Sequence, residues 1–501
     1  MEPQPKAKPS IYKFSVPGAD RNFDRRLILL VNMVPLALAL IQISSVNVAM
    51  PSISETLGAH SSDIQWVLSG YALAFGICLV PAGRLGDVIG QSTIFTVGMG
   101  VFALASLGCG LAPSPLLLNI ARVFQGIGAG MQGPQTIGMI QRYFRGQGRA
   151  KAYALNGMVV AASVAIGPLA TGTLIVTLGP DLGWRLPFMA NFPLGVLGCI
   201  LAARWLPFET ERERGASPKT EHARIDLDPV GAVLITGTIV CVMLPFMLTE
   251  QPPARFWLLA GAVVLGLGWL AWERRYEDRG RQPMVDLKLL RLRSFAHQTL
   301  ISAMDFLGIT SLFVIVAMFL QQGLGWNALH SSLIGVPNAV LSCLGAMWAG
   351  RYVLKYKDRL VVVTLVTVCV GVITSLGVVW FVGIADISPW WLLLTFGVYG
   401  MGQGMFGAAN QTLAMLEVPV SMAGTAGGVK SMTERVSTAV GNAVMTGTLF
   451  ATLPHLDWIG AVIVAYTTIS AAVLVAMMLA VAYVLYSNKM STTPTKPTPE
   501  L

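Results

Sequence analysis

The sequence predicts an all-α integral membrane protein, built as two six-helix bundles with an extra helix pair inserted between them, fourteen transmembrane helices in all. Three observations carry that expectation. The 501 residues are 54% hydrophobic and only 12% charged, with a mean hydropathy of +0.65, whereas a soluble protein carries about 25% charged residues. The apolar residues gather into runs near the length of about 20 that crosses a bilayer. The basic residues fall almost wholly between alternate runs. A soluble multidomain protein of this length does not fit the first two.

In chain order the runs are 27–50, 64–82, 93–112, 116–138, 150–178, 186–206, 229–249, 256–272, 295–320, 330–350, 360–383, 390–416, 422–450 and 458–486. The eighth is short; a re-entrant seventh and eighth would reduce the crossings to twelve. With the N-terminus inside, 29 of the 34 Lys and Arg lie in inner segments, and Arg185 and Arg255 in outer ones. Arg122, Lys430 and Arg435 stand inside spans. Positive charge marks the cytoplasmic side, so both termini are expected in the cytoplasm of a multi-pass cell-membrane protein. The net charge of +9 needs only topology and anionic lipid to account for it, so no nucleic-acid partner is expected.

The division into domains follows from where charge interrupts the runs. Residues 1–26 are polar and basic, with no apolar core or cleavage site, and read as a cytoplasmic tail. Residues 27–206 form the first bundle, 207–294 two charged linkers around the inserted pair, and 295–486 the second bundle. The tail 487–501, Thr- and Pro-rich, is expected to be disordered. Cys78, Cys109, Cys199, Cys241, Cys343 and Cys369 all sit in apolar runs and read as small hydrophobes, giving no disulfide or metal framework and no cofactor.

Between the second and third runs lies Gly83-Arg84-Leu85-Gly86-Asp87-Val88-Ile89-Gly90. A tight turn explains the glycines but not the acid. A degraded copy, Gly350-Arg351-Tyr352-Val353-Leu354, begins 267 residues later. Two equivalent loops in two halves are the mark of a repeated transporter plan. Gly83, Leu85, Asp87 and Gly90 match the G-x-L-x-D-x-x-G loop of the major facilitator superfamily, which the chain resembles over roughly 27–486. The inserted pair makes it similar to the fourteen-helix drug:proton antiporter branch. That resemblance implies that Gly83, Arg84, Asp87 and Gly90 form a conformational clamp, in which the acid holds the start of the thirteenth helix near Ala423-Gly424-Thr425.

Other runs resemble the same branch. Arg122-Val123-Phe124-Gln125-Gly126-Ile127-Gly128 is similar to R-x-x-Q-G-x-G, where the arginine is implicated in proton coupling; the alternative is a structural Arg bonded to backbone carbonyls. Gly167, Pro168 and Gly172 match an antiporter signature ending in G-P-x-x-G-G, with Thr171 in place of one glycine. Their physics is close helix packing and a kink, and the signature implies export. Trp184 to Gly195 resembles the W-R-x-x-F-x-x-N-x-P-x-G start of the sixth helix.

Helix 1 departs from the pattern: Gln42 stands near the branch's usual Asp. An amide carries no proton, though it can hydrogen-bond substrate. Asp305 offers a replacement. It lies about ten residues into the ninth run, about 15 Å deep, and an intramembrane acid is a functional hypothesis by default. Less the repeat offset, it falls one turn from Gln42. In the thirteenth run, Glu434 is either paired with Lys430 or a second titrating site, and Arg435 is in register with the branch's Arg. Gln42, Gln125, Gln132, Asn156, Asn338 and Asn410 are expected to line a substrate cavity, with Gln135, Gln403 and Gln411 further polar positions.

The expected function is therefore proton-driven export of amphipathic or lipophilic compounds, cationic ones among them, by a monomer using alternating access. The partners are that substrate, protons and the bilayer. A lipid or cell-envelope precursor transporter of the same fold, without proton coupling, is the alternative that Gln42 keeps open. No Cys/His/Asp cluster, nucleotide loop or large soluble domain points to an enzyme.

Overall fold

The computed structural model describes residues 13–15, 22–208, 227–247 and 253–492. Most of the two tails and of the first linker, expected at 1–26, 487–501 and 209–228, lies outside the described residues. A short hairpin pairs Lys13–Ser15 with Asn22–Asp24 antiparallel. Phe14 of the hairpin stacks on Tyr143. Asp24 then caps the first helix, its carboxylate accepting the Arg26 N–H at 2.8 Å.

The long helices are α1 Arg25–Leu57, α2 Ser61–Val88, α3 Gln91–Gly110, α4 Pro115–Tyr143, α5 Gly146–Leu178, α6 Pro180–Trp205, α7 Pro229–Met247 and α8 Trp257–Asp278. There follow α9 Arg293–Ile309, α10 Gly335–Tyr356, α11 Asp358–Ala385, α12 Leu392–Ala414, α13 Ala423–Thr452 and α14 Trp458–Thr492. Among the described residues, each expected run falls mainly on helical backbone. Turn chemistry separates them: Gly58 closes α1 at φ +60°, Gly90 separates α2 from α3 at φ +135°, and Gly179 with Pro180 divides α5 from α6. The ninth run is not one helix. After α9 it passes through Leu312–Met318 into a π turn, Phe319–Gly323. Ser311, at the break, donates to Asn442 Oδ1 at 2.9 Å. The last helix carries the chain to Thr492, inside the segment expected to be a tail.

Eleven helices among the described residues are long and apolar enough to cross a membrane. The three runs outside that set are α4, α12 and α13, and the reason is physical. Arg122, Gln125, Gln132 and Gln135 of α4, Asn410 of α12 and Lys430 of α13 are all buried. A helix that turns polar groups inward against other helices need not be lipophilic all round.

The chain forms two compact units. The first comprises 1–145, 166–287 and 419–432; the second comprises 146–165, 288–418 and 433–501. The boundary differs from a division between the halves of the sequence: the start of α5 belongs with the second half, and the start of α13 with the first. The inserted pair α7–α8 packs within the first unit.

In the first unit, α4 is the central element. Gly126 and Gly130 lie against the backbone of α2 at Tyr71 and Phe75, and Gly128 against α3 at Phe102. Two small-residue faces on one helix thus seat two neighbours. Trp184 donates its indole N–H to Thr56 Oγ1 at 2.9 Å, and Arg185 donates to the carbonyls of Gly110 and Ala112. In the second unit, α10 and α12 meet where Gly404 faces Ser342, Gly400 faces Asn338 and Gly345 faces Met401. Leu312, Phe319, Phe396, Tyr466 and their neighbours form a hydrophobic core of the same unit.

Candidate functional site

The loop acid is bound to a helix N-terminus. Asp87, half-buried, accepts the Gly424 N–H on Oδ1 at 2.9 Å. Its Oδ2 accepts the Thr425 N–H at 2.7 Å and the Thr425 hydroxyl at 2.8 Å. Gln91 donates a further bond to Oδ1 at 3.3 Å. These N–H groups belong to the first turn of α13, where they lack helical acceptors and carry the positive end of the dipole. Glycines permit the approach. A methyl on Gly83 would run into the Gly424 carbonyl, and one on Gly424 would meet Gly83 O at 2.7 Å and Asp87 Oδ1 at 2.8 Å. Gly428 presses on the backbone of Leu79 and Val80 one turn further on. Gly90 serves the turn, and Arg84 reaches away to Gln282 Oε1 at 2.9 Å.

A second site surrounds Arg122, which is 1% exposed. Its Nε donates to the Val67 carbonyl at 2.9 Å, and Nη1 to Gln125 Oε1 at 2.5 Å. Gln125 passes the chain on by donating to Ser106 Oγ at 2.7 Å. The guanidinium lies 4.2 Å from the centroid of the Tyr71 ring. The partners are one backbone carbonyl, a side-chain amide and a ring face.

A third site lies in the second unit. Asp305 is 0% exposed. Gln403 Nε2 of α12 donates to both of its oxygens, at 3.1 and 3.3 Å. One turn earlier on α9, Ser302 donates to Glu434 Oε1 at 2.6 Å. Asp305 and Glu434 thus meet side chains one turn apart along α9, Asp305 through Gln403 and Glu434 through Ser302. Arg435, beside Glu434, is half-buried.

The expected cavity residues are dispersed. Gln42 is buried and accepts Asn191 Nδ2 at 2.7 Å, with its own Nε2 lacking a partner. Gln125 belongs to the Arg122 chain, and Gln132 donates to Gly128 O of its own helix at 3.1 Å. Asn410 donates to Gln298 through both O and Oε1, and Asn338 packs its backbone on Gly400. Asn156 is half-buried in the start of α5. Of the signature residues on α5, Gly167 carries a close approach: its missing Cβ leaves room for Ser44 and Ile41 of α1, and Ser45 donates to its carbonyl at 3.1 Å. Pro168 sits within the helix, and Gly172 has only Val48 at ordinary contact, 3.8 Å.

Gln147, which no pattern singled out, lies at the degraded loop copy. It donates to the carbonyls of Gly350 and Arg351 at 2.7 and 3.1 Å. Its position two residues into a helix opposite a repeat-related loop was the available signal. Asn191 is the Asn of the W-R-x-x-F-x-x-N-x-P-x-G run, whereas Ser302 and Ser106 are ordinary small polar residues in apolar runs and carried no signal.

Comparison with known proteins gives a consistent picture. Residues 34–442 match the Major Facilitator Superfamily. The chain is similar to a probable actinorhodin transporter of Streptomyces coelicolor, 32% identical over 81% of this chain and 68% of that protein. It is similar to the tetracenomycin C resistance and export protein of Streptomyces glaucescens, 28% identical over 81% and 72%. It is also similar to the multidrug resistance protein Stp of Mycobacterium tuberculosis, 26% identical over 82% and 74%. Among solved structures, the human organic anion transporter MFSD10 superposes with a TM-score of 0.64 at 13% identity, covering 91% of this chain and 99% of that one.

Proposed function

The chain belongs to the major facilitator superfamily, and from that premise we propose that it exports amphipathic or lipophilic compounds, cationic ones among them, across the cell membrane in exchange for protons. Relatives named for export of or resistance to antibiotics support the direction and substrate class. Both termini lie in the cytoplasm by the distribution of basic residues. The observation that carries proton coupling is Asp305: a fully buried carboxylate inside the ninth run, with Gln403 of α12 donating to both of its oxygens. An acid inside a membrane span is a functional position by default, and it exchanges a proton when a conformational change alters its access to water. Arg122, which also ties α4 to α2 through the Val67 carbonyl, and Arg435 belong to the coupling path, and Glu434 is either paired with Lys430 or a second acid of it. Gln42, without a carboxylate, offers a hydrogen-bonding position for substrate.

The test is transport by the purified monomer in proteoliposomes with an imposed pH gradient. The panel contains lipophilic cationic dyes, aromatic antibiotics and labelled lipids. Uphill accumulation of dye or antibiotic that collapses with the gradient is the expected result. Movement of lipid alone, indifferent to the gradient, sinks the proposal in favour of a lipid or envelope-precursor transporter.

A further inference from the structure

Outside the sites above, the first unit buries two acids at the inner end of the inserted helix pair. Asp228 caps α7, and its backbone takes the left-handed conformation, φ +39°, as it does so. Its Oδ1 accepts the Gly231 N–H at 2.9 Å and the Trp272 indole N–H at 2.8 Å, and Oδ2 accepts Met284 N–H at 3.4 Å. Glu273 of α8 accepts the Trp269 indole N–H at 2.7 Å and Val285 N–H at 3.4 Å, both on Oε1. Both residues are 0% exposed. They flank one point: a methyl on Gly231 would strike Asp228 Oδ2 and stand 3.1 Å from Glu273 Oε1.

Two features set this pair apart from a solvated charge cluster. Each acid grips the linker that follows α8 through a consecutive backbone N–H, Met284 and Val285. And Glu273 Oε2 is buried without any hydrogen-bond partner. An acceptor enclosed in that way costs free energy unless something donates to it. The donors already present are neutral, while two carboxylates this close repel each other strongly when both are charged and out of water.

We propose that Asp228 and Glu273 form a proton-binding latch, in which one proton carried on Glu273 Oε2 lets the pair hold the linker 280–287 beneath α7 and α8. With the proton bound, the pair bears one negative charge instead of two, and the buried oxygen no longer carries charge away from water. With the proton lost, repulsion drives one carboxylate outward, and the N–H bonds to Met284 or Val285 break with it. The surrounding charged and titratable groups have other engagements. Tyr276 of α8 packs on Trp272 and carries Arg281 over its ring, and Arg84 of α2 donates to Gln282. Asp286 follows Val285 along the linker.

The experiment is hydrogen exchange of the 280–287 segment in the full-length protein in nanodiscs, expressed as protection relative to the free peptide at each pH. Protection is expected to fall by about tenfold or more between about pH 6 and about pH 9. It should stay level in Glu273→Gln, whose amide supplies a permanent donor at the same place. Protection that is flat with pH in the unaltered protein overturns the proposal without reference to any variant. So does a fall that is identical in Glu273→Gln. Protection that follows sodium or potassium concentration at fixed pH overturns it in favour of a bound cation.

Discussion

The two halves of the sequence carry the same loop, and they have divided its chemistry between them. At Asp87 the first copy offers a carboxylate that accepts two backbone N–H groups and a hydroxyl from the start of α13. At the repeat-related position the second copy has Leu354. There the bond runs the other way: Gln147, at the start of α5, donates to the carbonyls of Gly350 and Arg351. The membrane-buried acid is distributed inversely, with Asp305 in the second half and the amide Gln42 one turn from the equivalent place in the first. A charge at a helix N-terminus is worth more than a neutral amide on a carbonyl. On the proposed function, the switchable contact would belong to the first half and the proton to the second, and the following variants test that division.

The largest effect should come from removing the acid of the second half. Asp305→Asn is expected to abolish uphill, gradient-driven export while leaving downhill exchange and substrate binding. Asp305→Glu should keep part of the coupling. Gln403 can still bond an amide, so the Asn variant is expected to fold. Accumulation against a gradient by reconstituted Asp305→Asn would move the proton to Glu434 or remove it from the mechanism.

Next in size is Arg122→Ala. It leaves the Val67 carbonyl and Gln125 without their donor in a closed interior, at about 1–3 kcal/mol for each unsatisfied group. Loss of nearly all transport with a lowered unfolding temperature is expected. Lys can keep the contact with the Tyr71 ring but only one of the two acceptors, so Arg122→Lys should retain intermediate activity. An Ala variant with full transport and unchanged melting would mean that the network is idle.

Asp87→Asn tests the switch itself. An amide can accept one of the N–H bonds, but its NH2 then faces the other N–H, and the negative charge at the dipole is gone. The cost is on the order of 1–2 kcal/mol, enough to favour states in which the start of α13 has left α2. Ala426 is fully buried in that first turn. In a background without the native cysteines, Ala426→Cys should react faster with a cytoplasmic thiol reagent once Asp87 is Asn. Equal rates would show that the acid holds nothing shut.

How far these sites could be read from the chain depends on pattern and on distance. Asp87 and the glycines around it were legible because Gly83, Leu85, Asp87 and Gly90 fall together in one short pattern between two apolar runs. Asp305 was legible because a lone acid in an apolar run stands out. Arg122 was legible as a charge inside an apolar run, but its bond to the Val67 carbonyl was not, since an arginine facing a cavity and one bonded to a carbonyl look alike in sequence. Gln403 meets Asp305 across 98 positions and Gln147 meets Gly350 across 203, separations over which one sequence carries no pairing signal. Asp228 and Glu273 were hidden for a different reason: they border charged linkers, where an acid is ordinarily solvated.

The smallest effect is expected at the second loop, and it is the one that sharpens the contrast. Gln147→Ala removes two neutral bonds, one of them to the exposed Arg351 end, and the freed carbonyls can turn to water. The net loss is about 1 kcal/mol or less, or a change of less than about fivefold in any opening equilibrium. Gly350→Ala is the harsher change at the same spot, because its methyl would press into Ala154 of α5, and overpacking costs about 1–3 kcal/mol. The order expected for thiol labelling at a cysteine replacing the buried Ala154 is thus Gln147→Ala close to the parent, and Gly350→Ala well above it. Should Gln147→Ala open the second loop as far as Asp87→Asn opens the first, the two contacts would be equal partners, and the division of labour between charge and packing would fall.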